Sequence, residues 1–535
     1  MSNAQQIVKR LGKLKSDRSP LESIWRDCYL VTNPVRAHGF EGEIMDGTSL
    51  PNAKARIMDG VTGDATRTLS SQMASGLHPS NAQWFELEIH QSSEEESRWL
   101  GDAAELIYKN IHASNFDAEA FEALTDAIIA GWFVLYVDED KERGGLVFQQ
   151  WPLAQCYVTS TRPDGRIDTV MREYALTANQ CINEFGESNV SEKVRKLVAD
   201  QKGDEQVKLA IEIKPRQMKS DKPRSSKQFA FESTTVEVEH KHTCRESGYH
   251  EFPCAIPRWV KIPESMYGVG PVLDALPDAM MLNTMKRFHL ANAELNVAGM
   301  WIAEDDGVLN PRSIKVGPRK IIVANSVDSM KPLNPPGNWQ LAQEEIKLAQ
   351  SAIRKILMAD QLQPQDGPAM TATEVHVRQQ LIRQLLGPVF GRFQSEYLQP
   401  LIERVFGILF RAGVFPPPPE TLAGKEYKVK YISPLARAQK LEDVTAIERM
   451  LGTIGAVAQM KPEVLDLLNG DEIVRIMAES LGVPQEILRK KQEVDEFREQ
   501  QAEQQAEQQQ QAMMMEMASR AAPQLAQGMM QSNAA

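Results

Sequence analysis

Hydrophobic residues in the first part of the chain recur mainly at helical spacing. Leu21, Trp25 and Tyr29 lie four residues apart and predict a first helix. Pro20 fits the first turn of that helix, and Pro34 ends it. Further helical patterns cover 53–77, 94–113 and 118–130, and strand-like patterns cover 84–89 and 132–137. The first part of the chain is therefore expected to be mostly helical, with short strands between the helices.

Between residues 138 and 258, short strand patterns and turns replace the helical patterns. Gly144-Gly145 and Asp164-Gly165 each separate two strand-like runs and predict hairpin turns. From Val236 to Cys244, valines, histidines and a cysteine occupy every second position, which predicts one face of a single strand. The charged stretch from Asn189 to Arg224 predicts a solvated surface excursion. The predicted fold class is α+β, mainly α.

Two long helix patterns follow, with a helix-hostile insert between them. The first helix has Pro277 in its opening turn, and its apolar face favours core packing over a binding surface. That face consists of Met281, Met285, Phe288 and Leu295. The insert from Gly299 to Asn338 is rich in proline and contains two candidate strands, 300–303 and 321–324.

The second long helix runs from Trp339 to about Ala359. Its apolar residues alternate four and three apart, as in a coiled-coil seam. They are Ala342, Ile346, Ala349, Ile353 and Ile356. The opposite face is polar, so this helix is expected to pack along one side only. A neighbouring copy of the chain could supply further packing.

A polar loop and a third helix complete this pattern. Residues 361–368 include prolines and a glycine, which exclude a helix. Thr371 and Glu374 form a Thr-x-x-Glu capping box, so the next helix is predicted to start at Thr371. It is expected to bend at Gly387-Pro388 and Gln399-Pro400 and to end near Gly413.

Composition limits the classes of protein that remain. The chain has 535 residues, of which 42% are apolar and 25% charged, which is typical of a globular protein of several domains. The apolar run 127–137 is too short to cross a bilayer, and no signal peptide is evident, so a cytoplasmic protein without a membrane partner is expected. The net charge of -12 argues against a large nucleic-acid-gripping surface, but it permits weak, sliding contact with DNA.

No motif for catalysis or for a bound cofactor is present. The chain lacks a phosphate-binding Gly-x-x-x-x-Gly-Lys-Ser/Thr loop and a His-Glu-x-x-His zinc motif. Five scattered cysteines predict reduced thiols. Weak zinc candidates without standard spacing are His240, His242, Cys244, His250 and Cys254. The expectation is a protein that is not an enzyme and has no cofactor.

Several motifs resemble the head-to-tail connectors, or portal proteins, of T7-like short-tailed bacteriophages. They are Tyr267-Gly268-Val269-Gly270-Pro271, Ala275-Leu276-Pro277-Asp278, Met370-Thr371-Ala372-Thr373-Glu374-Val375, Leu386-Gly387-Pro388-Val389-Phe390-Gly391-Arg392 and Pro400-Leu401-Ile402-Glu403-Arg404. The resemblance implies the phage portal fold, assembled as a cyclic ring, usually of twelve subunits, at one capsid vertex.

By position, the resemblance divides the chain into named parts. They are an α+β wing (1–265), a first stem helix (266–298), a clip (299–338), a second stem helix (339–360), a tunnel loop (361–370), a long kinked helix returning to the wing (371–432), a helical crown (433–498) and a Gln-rich C-terminal extension (499–535). That extension could be a helical barrel, a frayed helix or a disordered segment.

The resemblance also implies sites and partners. The loop that faces DNA would contain Gln361, Gln363, Gln365 and Asp366, with Thr371 and Glu374 capping the helix after it. Candidate docking residues in the clip are Arg312, Lys315, Arg319 and Lys320. The expected partners are other copies of the chain, double-stranded DNA, the terminase large subunit, the major capsid and scaffolding proteins, a tail adaptor and internal core proteins.

The implied function is a ring through which DNA is packaged and ejected. The protein would be made in the host cytoplasm and located at the portal vertex of the virion. Two alternatives remain at this point. One is a structural coiled-coil scaffold or adaptor, because the seam of the second long helix also fits a coiled-coil dimer. The other is a zinc-dependent enzyme built on the histidines and cysteines of residues 240–254.

Overall fold

The structure is a computed structural model. It describes residues 3–41, 57–89, 93–140, 144–216, 229–298, 300–303, 330–333, 339–362, 387–422, 428–431, 444, 447–456, 461, 468–481, 494 and 497–498. The chain divides into two compact units, Met1–Tyr431 and Ile432–Ala535. Helix is more abundant than strand, and both occur in the first unit, as the sequence predicts.

The first unit contains the following elements. Its helices are α1 (Asn3–Thr32), α2 (Pro34–Ala37), α3 (Val61–Leu77), α4 (Glu94–Ala113), α5 (Phe116–Ile129), α6 (Ala178–Phe185), α7 (Glu192–Ala199), α8 (Val272–Ala298), α9 (Trp339–Ile356), α10 (Ala359–Leu362) and α11 (Gln399–Arg411). Its strands are β1 (Phe85–Glu88), β2 (Leu135–Glu139), β3 (Leu146–Gln150), β4 (Cys156–Thr159), β5 (Thr169–Thr177), β6 (Gln206–Pro215), β7 (Phe231–Glu237), β8 (His242–Tyr249), β9 (Cys254–Ala255), β10 (Val260–Lys261), β11 (Gly268–Val269), β12 (Met300–Ala303), β13 (Met330–Leu333) and β14 (Lys428–Tyr431).

Two antiparallel sheets carry most of the described strands. One has the order β4-β5-β6-β7-β8, and the other has the order β3-β2-β9. The hairpins predicted at Gly144-Gly145 and Asp164-Gly165 are confirmed, because β2 pairs with β3 and β4 pairs with β5. After α11 the chain returns to β1, with which β14 pairs.

The core of the first unit surrounds α5 and the chain that follows it. Phe116, Ala120, Leu124 and Ile128 on this helix are fully buried. Helix α1 contributes Trp25, whose ring lies 5.6 Å from that of Trp132 between centroids. Because α5 is buried on several faces, it occupies the centre of the first unit's core.

Helix α1 begins earlier than predicted. It starts at Asn3 and contains Pro20 in its interior. A proline at this place leaves one backbone carbonyl without its helical donor, a cost that packing must offset. The side chain of Arg18, just before the proline, is buried and donates to the backbone oxygens of Leu153, Ala154 and Cys156. Buried hydrogen bonds of this kind favour the continuous helix.

The sequence also placed the start of α3 too early. Residues 57–60 are not helical, and the helix begins at Val61, whose N–H donates to Asp59 Oδ1 at 2.9 Å. Its predicted end at Leu77 is confirmed. Helix α4 matches its predicted bounds and begins with a capping box between Ser93 and Glu96.

Two predictions for the sheet region were wrong. The stretch 189–224 is not simply a surface excursion, because it contains α7 and the central strand β6, which pairs with both β5 and β7. Half of the residues of β6 are buried, among them the adjacent pairs Leu209-Ala210 and Glu212-Ile213, although the strand contains lysines and glutamates. The run 236–244 is not one strand but the end of β7, a turn and the start of β8, with Lys241 at a φ of +51°.

The second unit is described only in part. It contains a helix over 447–456 and another over Gly470–Leu481. Arg498 donates from both terminal nitrogens to the Asp471 carboxylate at 2.6 and 2.7 Å. The Gln-rich run 499–535 lies outside the described residues. None of the helices in the described ranges is long and apolar enough to cross a membrane.

Candidate functional site: the two-helix arm

Helices α8 and α9, with the strand pair β12–β13 between them, form what we call the two-helix arm. The strands are antiparallel, with Met300 opposite Leu333, and α8 packs against α9. The predicted strand 300–303 is confirmed, whereas 321–324 lies outside the described residues. The arm is therefore an antiparallel helix pair closed by a strand pair at the start of the insert.

The apolar seam predicted for α9 is confirmed. Ile346, Ala349 and Ile353 are buried, and α9 contacts α8 and α3 of the same chain. The opposite face is solvent-exposed and includes Glu344, Glu345, Lys347, Arg354 and Lys355. Since the seam is already covered within the chain, it is not free for the coiled-coil dimer that the sequence also allowed.

The predicted core face of α8 is only partly correct, because Met285 packs against the core but Met281 and Phe288 do not. Met281 and Phe288 are 45% and 64% exposed, while the buried face carries Val272, Ala275, Ala279 and Leu282. Leu295 has no described side chain. The helix begins at Val272, so Pro277 is its sixth residue rather than part of its opening turn. Ala275 and Ala279 on the buried face allow α8 to pack closely against the rest of the first unit. The longer side chains of Met281 and Phe288 point to solvent.

Asp59 ties both helices of the arm to the start of α3. Its carboxylate accepts from Gln350 Nε2 of α9 at 2.8 Å and lies 3.5 Å from Lys286 Nζ of α8. Asn283 Oδ1 of α8 accepts from the backbone N–H groups of Met58 and Asp59 at 3.1 and 3.2 Å. The Asp59 side chain is 5% exposed. Because these polar contacts are shielded from water, they fix the position of α8 along its axis relative to α9.

Glycines fix the position of the segment immediately before α8. The segment Gly268-Val269-Gly270 lies directly against the backbone of 128–131. A Cβ on Gly270 would lie 2.2 Å from the Ile128 oxygen, and one on Gly131 would lie 2.0 Å from the Val269 carbonyl carbon. Gly131 also has a φ of +86°. This contact requires residues without side chains, so the glycines at 268 and 270 serve close backbone packing.

Tyr267 anchors the same segment. Its ring meets those of Trp25 and Trp132 edge-on, with centroids 5.4 and 5.1 Å apart. Its hydroxyl accepts from the Val158 N–H at 3.4 Å. The aromatic cluster and the glycine contact together hold the start of α8 on the central helix α5.

The long helix over 387–411 contains a π-helical segment, Gln394–Leu398, immediately before Pro400. The Gln399 N–H donates to the Gln394 oxygen, five residues back, and Pro400 has no N–H to donate. A π-helical segment therefore precedes Gln399-Pro400, where the sequence predicts a bend. The predicted bend at Gly387-Pro388 lies at the edge of the described residues.

The π-helical segment directs Glu396 at the buried Arg258. Arg258 Nη2 and Nε donate to the two carboxylate oxygens at 2.6 and 3.1 Å, and its backbone N–H donates at 3.1 Å. Arg258 is 3% exposed and also forms a β-bridge with Trp132. This bidentate ion pair joins the long helix to the segment before α8, which contains Arg258.

His78, at the end of α3, is enclosed beside the same segment. Its ring lies 5.0 Å from Phe116 and 6.0 Å from Tyr397 between centroids. Among the described residues, neither His78 Nε2 nor the Tyr397 hydroxyl has a hydrogen-bond partner. Burial lowers the pKa of His78 to about 4, although the charge of Asp117 acts in the opposite direction.

This histidine predicts acid sensitivity. The folded protein favours the neutral ring, so the unfolded chain takes up a proton first as the pH falls from about 6.5 towards 4. The contribution of the neutral His78 ring to the stability of the fold is complete above about pH 6.5 and is lost as the pH falls towards 4. The free energy of unfolding should fall by about 2 kcal/mol between pH 7 and pH 5 through His78. Urea unfolding at both pH values tests this, and H78F should show a smaller difference. An equal difference in H78F would contradict the assignment.

Of the predicted loop and clip residues, only Gln361 lies in the described part of the chain. Gln361 belongs to α10, so the first residues assigned to the tunnel loop are helical. The other residues of that site and of the clip site lie outside the described residues: Gln363, Gln365, Asp366, Thr371, Glu374, Arg312, Lys315, Arg319 and Lys320. Their assignment stays a prediction.

The weak zinc candidates do not converge. His242 Nε2 lies 3.1 Å from the Asn189 oxygen, Cys244 Sγ lies 3.6 Å from Glu237 Oε1, and the His250 ring packs on Phe229. Cys254 is buried in β9. Throughout the described ranges, no group of three or more histidine, cysteine or acidic side chains is arranged to hold a metal ion.

No sequence pattern identifies Asp59, Asn283 and Gln350 as residues that join the arm to α3. The Asp-Gly pair before Val61 is a common helix-start signal and could have revealed the beginning of α3. Nothing in the local sequence links that signal to residues more than two hundred positions away. The buried partner of Glu396 was missed for the same reason.

Comparison with known proteins gives a consistent result over nearly the whole chain. The family described as "Bacteriophage head to tail connecting protein" matches residues 4–488. The chain is 27% identical over 531 residues to the "Probable portal protein" of Bordetella phage BPP-1, covering 93% of this chain and 90% of that protein. It is 27% identical over 517 residues to the "Portal protein" of Salmonella phage epsilon15, covering 93% and 91%.

Proposed function

Because the chain belongs to the bacteriophage head-to-tail connecting protein family, we propose that its copies form a closed ring at one capsid vertex through which double-stranded DNA enters and leaves the head. The membership confirms the resemblance inferred from the sequence motifs. Portal proteins are structural components of the virion that interact with capsid and tail. The observation that carries the proposal is the extent of the family match, residues 4–488.

In this proposal the two-helix arm forms part of the channel wall. Residues 299–338 at its tip dock the terminase large subunit during packaging and a tail adaptor afterwards, and Arg312, Lys315, Arg319 and Lys320 supply positive charge there. Residues 361–370 face the DNA. The ring has twelve copies. The outer surface meets the major capsid and scaffolding proteins, and the internal core proteins meet the ring inside the head.

The charge of the chain supports a channel that does not hold DNA tightly. Affinity for duplex DNA comes mainly from lysines and arginines that displace counterions from phosphates. A net charge of -12 disfavours such binding, and the glutamines of residues 361–365 contact phosphate without a charge. A duplex can therefore slide past the loop.

Imaging of the purified full-length protein tests the proposal. Negative-stain electron microscopy should show closed rings with a central hole, and light scattering should give one mass that is a whole multiple of 60.0 kDa. The measurement should be repeated at several salt concentrations, because ionic contacts weaken as salt rises. Monomers and dimers alone under all of these conditions would contradict a ring.

The same preparation tests the loop assignment. A variant lacking residues 361–370 should still form rings, because the arm and the core of the first unit lie outside the deletion. Packaging or retention of DNA should fail when this variant replaces the native protein in phage assembly. Normal packaging and retention of a full genome would show that these residues do not act on DNA.

A further inference from the structure

An apolar surface lies where the long helix ends, and we call it the proline patch. Phe410 and Val414 are 49% and 41% exposed. The ring of Phe406 stacks on the rings of Phe410 and Phe415, with centroids 5.9 and 5.2 Å apart. Four consecutive prolines follow Phe415. The patch consists of Phe410, Val414 and residues 416–418.

The prolines give the patch a stiff backbone. Proline fixes its own φ, and it also holds the residue before it in the extended region. Residues 416–418 meet both conditions, so they form a short polyproline II helix. These three prolines are exposed, whereas Pro419 is half-buried. A surface segment that already has the conformation in which it binds loses little conformational entropy on binding.

The contact of Trp99 with this run indicates which chemistry the run accepts. The indole Nε1 of Trp99 donates to the Pro416 oxygen at 3.0 Å, and its ring lies 6.1 Å from that of Phe415 between centroids. Prolines have no N–H, so the run can only accept hydrogen bonds. Within the described part of the chain, the oxygens of Pro417 and Pro418 accept none. The outer side of the run therefore presents two acceptors beside apolar rings.

Acidic side chains surround the patch. Glu95 and Asp102 lie one turn before and one turn after Trp99 on the same side of α4, and Glu420 directly follows the prolines. All three glutamate and aspartate side chains are exposed, and across the described ranges none of them forms an ion pair. Arg98 lies about 100° further round the helix. The rim of the patch is therefore negatively charged.

We propose that the proline patch docks into a groove on another protein of the phage particle, lined by tryptophan or tyrosine side chains and edged by lysines or arginines. Indole and phenol groups donate to the oxygens of Pro417 and Pro418 and pack on the proline rings. The basic edge of the groove meets the acidic rim and sets the orientation of the partner.

A second copy of the chain does not supply such a groove. Among the side chains that the structure describes, no tryptophan or tyrosine is exposed. The partner is therefore a different protein. The docking site rests on the proposed place of the chain in the phage particle, but it does not require a closed ring.

Breaking the proline run tests the docking. Pro417→Ala combined with Pro418→Ala keeps the surface apolar but gives the backbone its freedom back. When this variant replaces the native protein in phage assembly, the yield of infectious particles should fall about tenfold or more. Circular dichroism and light scattering of the purified variant should match the native protein, because both side chains are exposed. An unchanged yield of particles would overturn the proposal.

A matched control changes two prolines elsewhere. Pro163 and Pro263 are also exposed and lie in turns between strands. Pro163→Ala combined with Pro263→Ala should give the native yield of particles. An equal loss in this control would show that exposed prolines in general, and not the proline patch, affect assembly.

Cross-linking tests the chemistry of the partner without changing the prolines. A photoreactive benzoylphenylalanine in place of Phe410, irradiated during phage assembly, should become joined to another phage protein. Mass spectrometry should place the link in a segment that contains tryptophan or tyrosine together with lysine or arginine. The same group in place of Val260, which is 50% exposed, should not give this product.

The other outcomes of the cross-linking separate this proposal from the ring. A link to other copies of the chain only, a link to a segment without those residue types, or no link would overturn the docking site. Absence of rings in the purified native protein would overturn the proposed function. The expected cross-link would still support the docking site in that case.

Discussion

Replacing Gly270 with alanine is expected to prevent the first unit from reaching its native packing. The new Cβ would lie 2.2 Å from the Ile128 oxygen, a backbone atom that cannot move without displacing α5. We expect a loss of about 3 kcal/mol or more, since overpacking of a buried backbone contact shifts entire elements. Gly131→Ala should be at least as harmful because its φ of +86° adds strain. Urea unfolding of the purified variants measures the loss, and poor solubility would be its first sign.

Gly101→Ala is the control for this prediction. Gly101 lies within α4, and an added Cβ would meet no atom within 4 Å. Alanine in a helix interior is more favourable than glycine by roughly 0.5–1 kcal/mol, so this variant should be slightly more stable than the native protein. A Gly270→Ala protein that unfolds at the native urea concentration would show that the close backbone contact is wrong.

Glu396→Gln is expected to cost about 3 kcal/mol, because it leaves the buried Arg258 guanidinium without a negative partner. The amide can keep one hydrogen bond but cannot balance the charge. Arg258→Met combined with Glu396→Met should be less harmful than Glu396→Gln alone, because neither side chain then brings a charge into the core. Unfolding free energies of the three variants, compared with the native protein, give the measurement.

A second glutamate on the same helix serves as the reference. Glu403 is exposed and accepts from Gln399 Nε2 at 2.8 Å, so Glu403→Gln should change the unfolding free energy by less than about 0.5 kcal/mol. If Glu396→Gln were as mild as Glu403→Gln, the Arg258 pair would not contribute to joining the long helix to the chain before α8.

Local patterns in the sequence predict much of the fold. The bounds of α4, the end of α3, both hairpins and the buried seam of α9 follow from periodicity, capping and glycine turns. The predictions around Pro20 and over β6 were wrong because tertiary contacts determine the secondary structure at both places. Arg18 stabilises a helix that the proline would otherwise end, and β6 is buried by its neighbours in the sheet despite its charged composition.

The features that position the arm could not be predicted in this way. Asp59 acts on residues of α8 and α9 that are far away in sequence, and the glycines of 267–271 meet a backbone segment that no local signal identifies. The outward direction of Met281 and Phe288 depends on which side of α8 faces the body of the unit. Periodicity shows that apolar residues share a face but not what that face touches.

The strand pair Met300–Leu333 closes the arm before the chain enters residues 304–329. Together with the Asp59 contacts, it holds α8 and α9 at a set separation through residues that lie outside 304–329. Evolution can therefore lengthen, shorten or rewrite the tip while the rest of the protein keeps its form. Under the docking role proposed for residues 299–338, a phage lineage that changes the attached proteins needs to alter only that segment, and the frame that carries it stays constant.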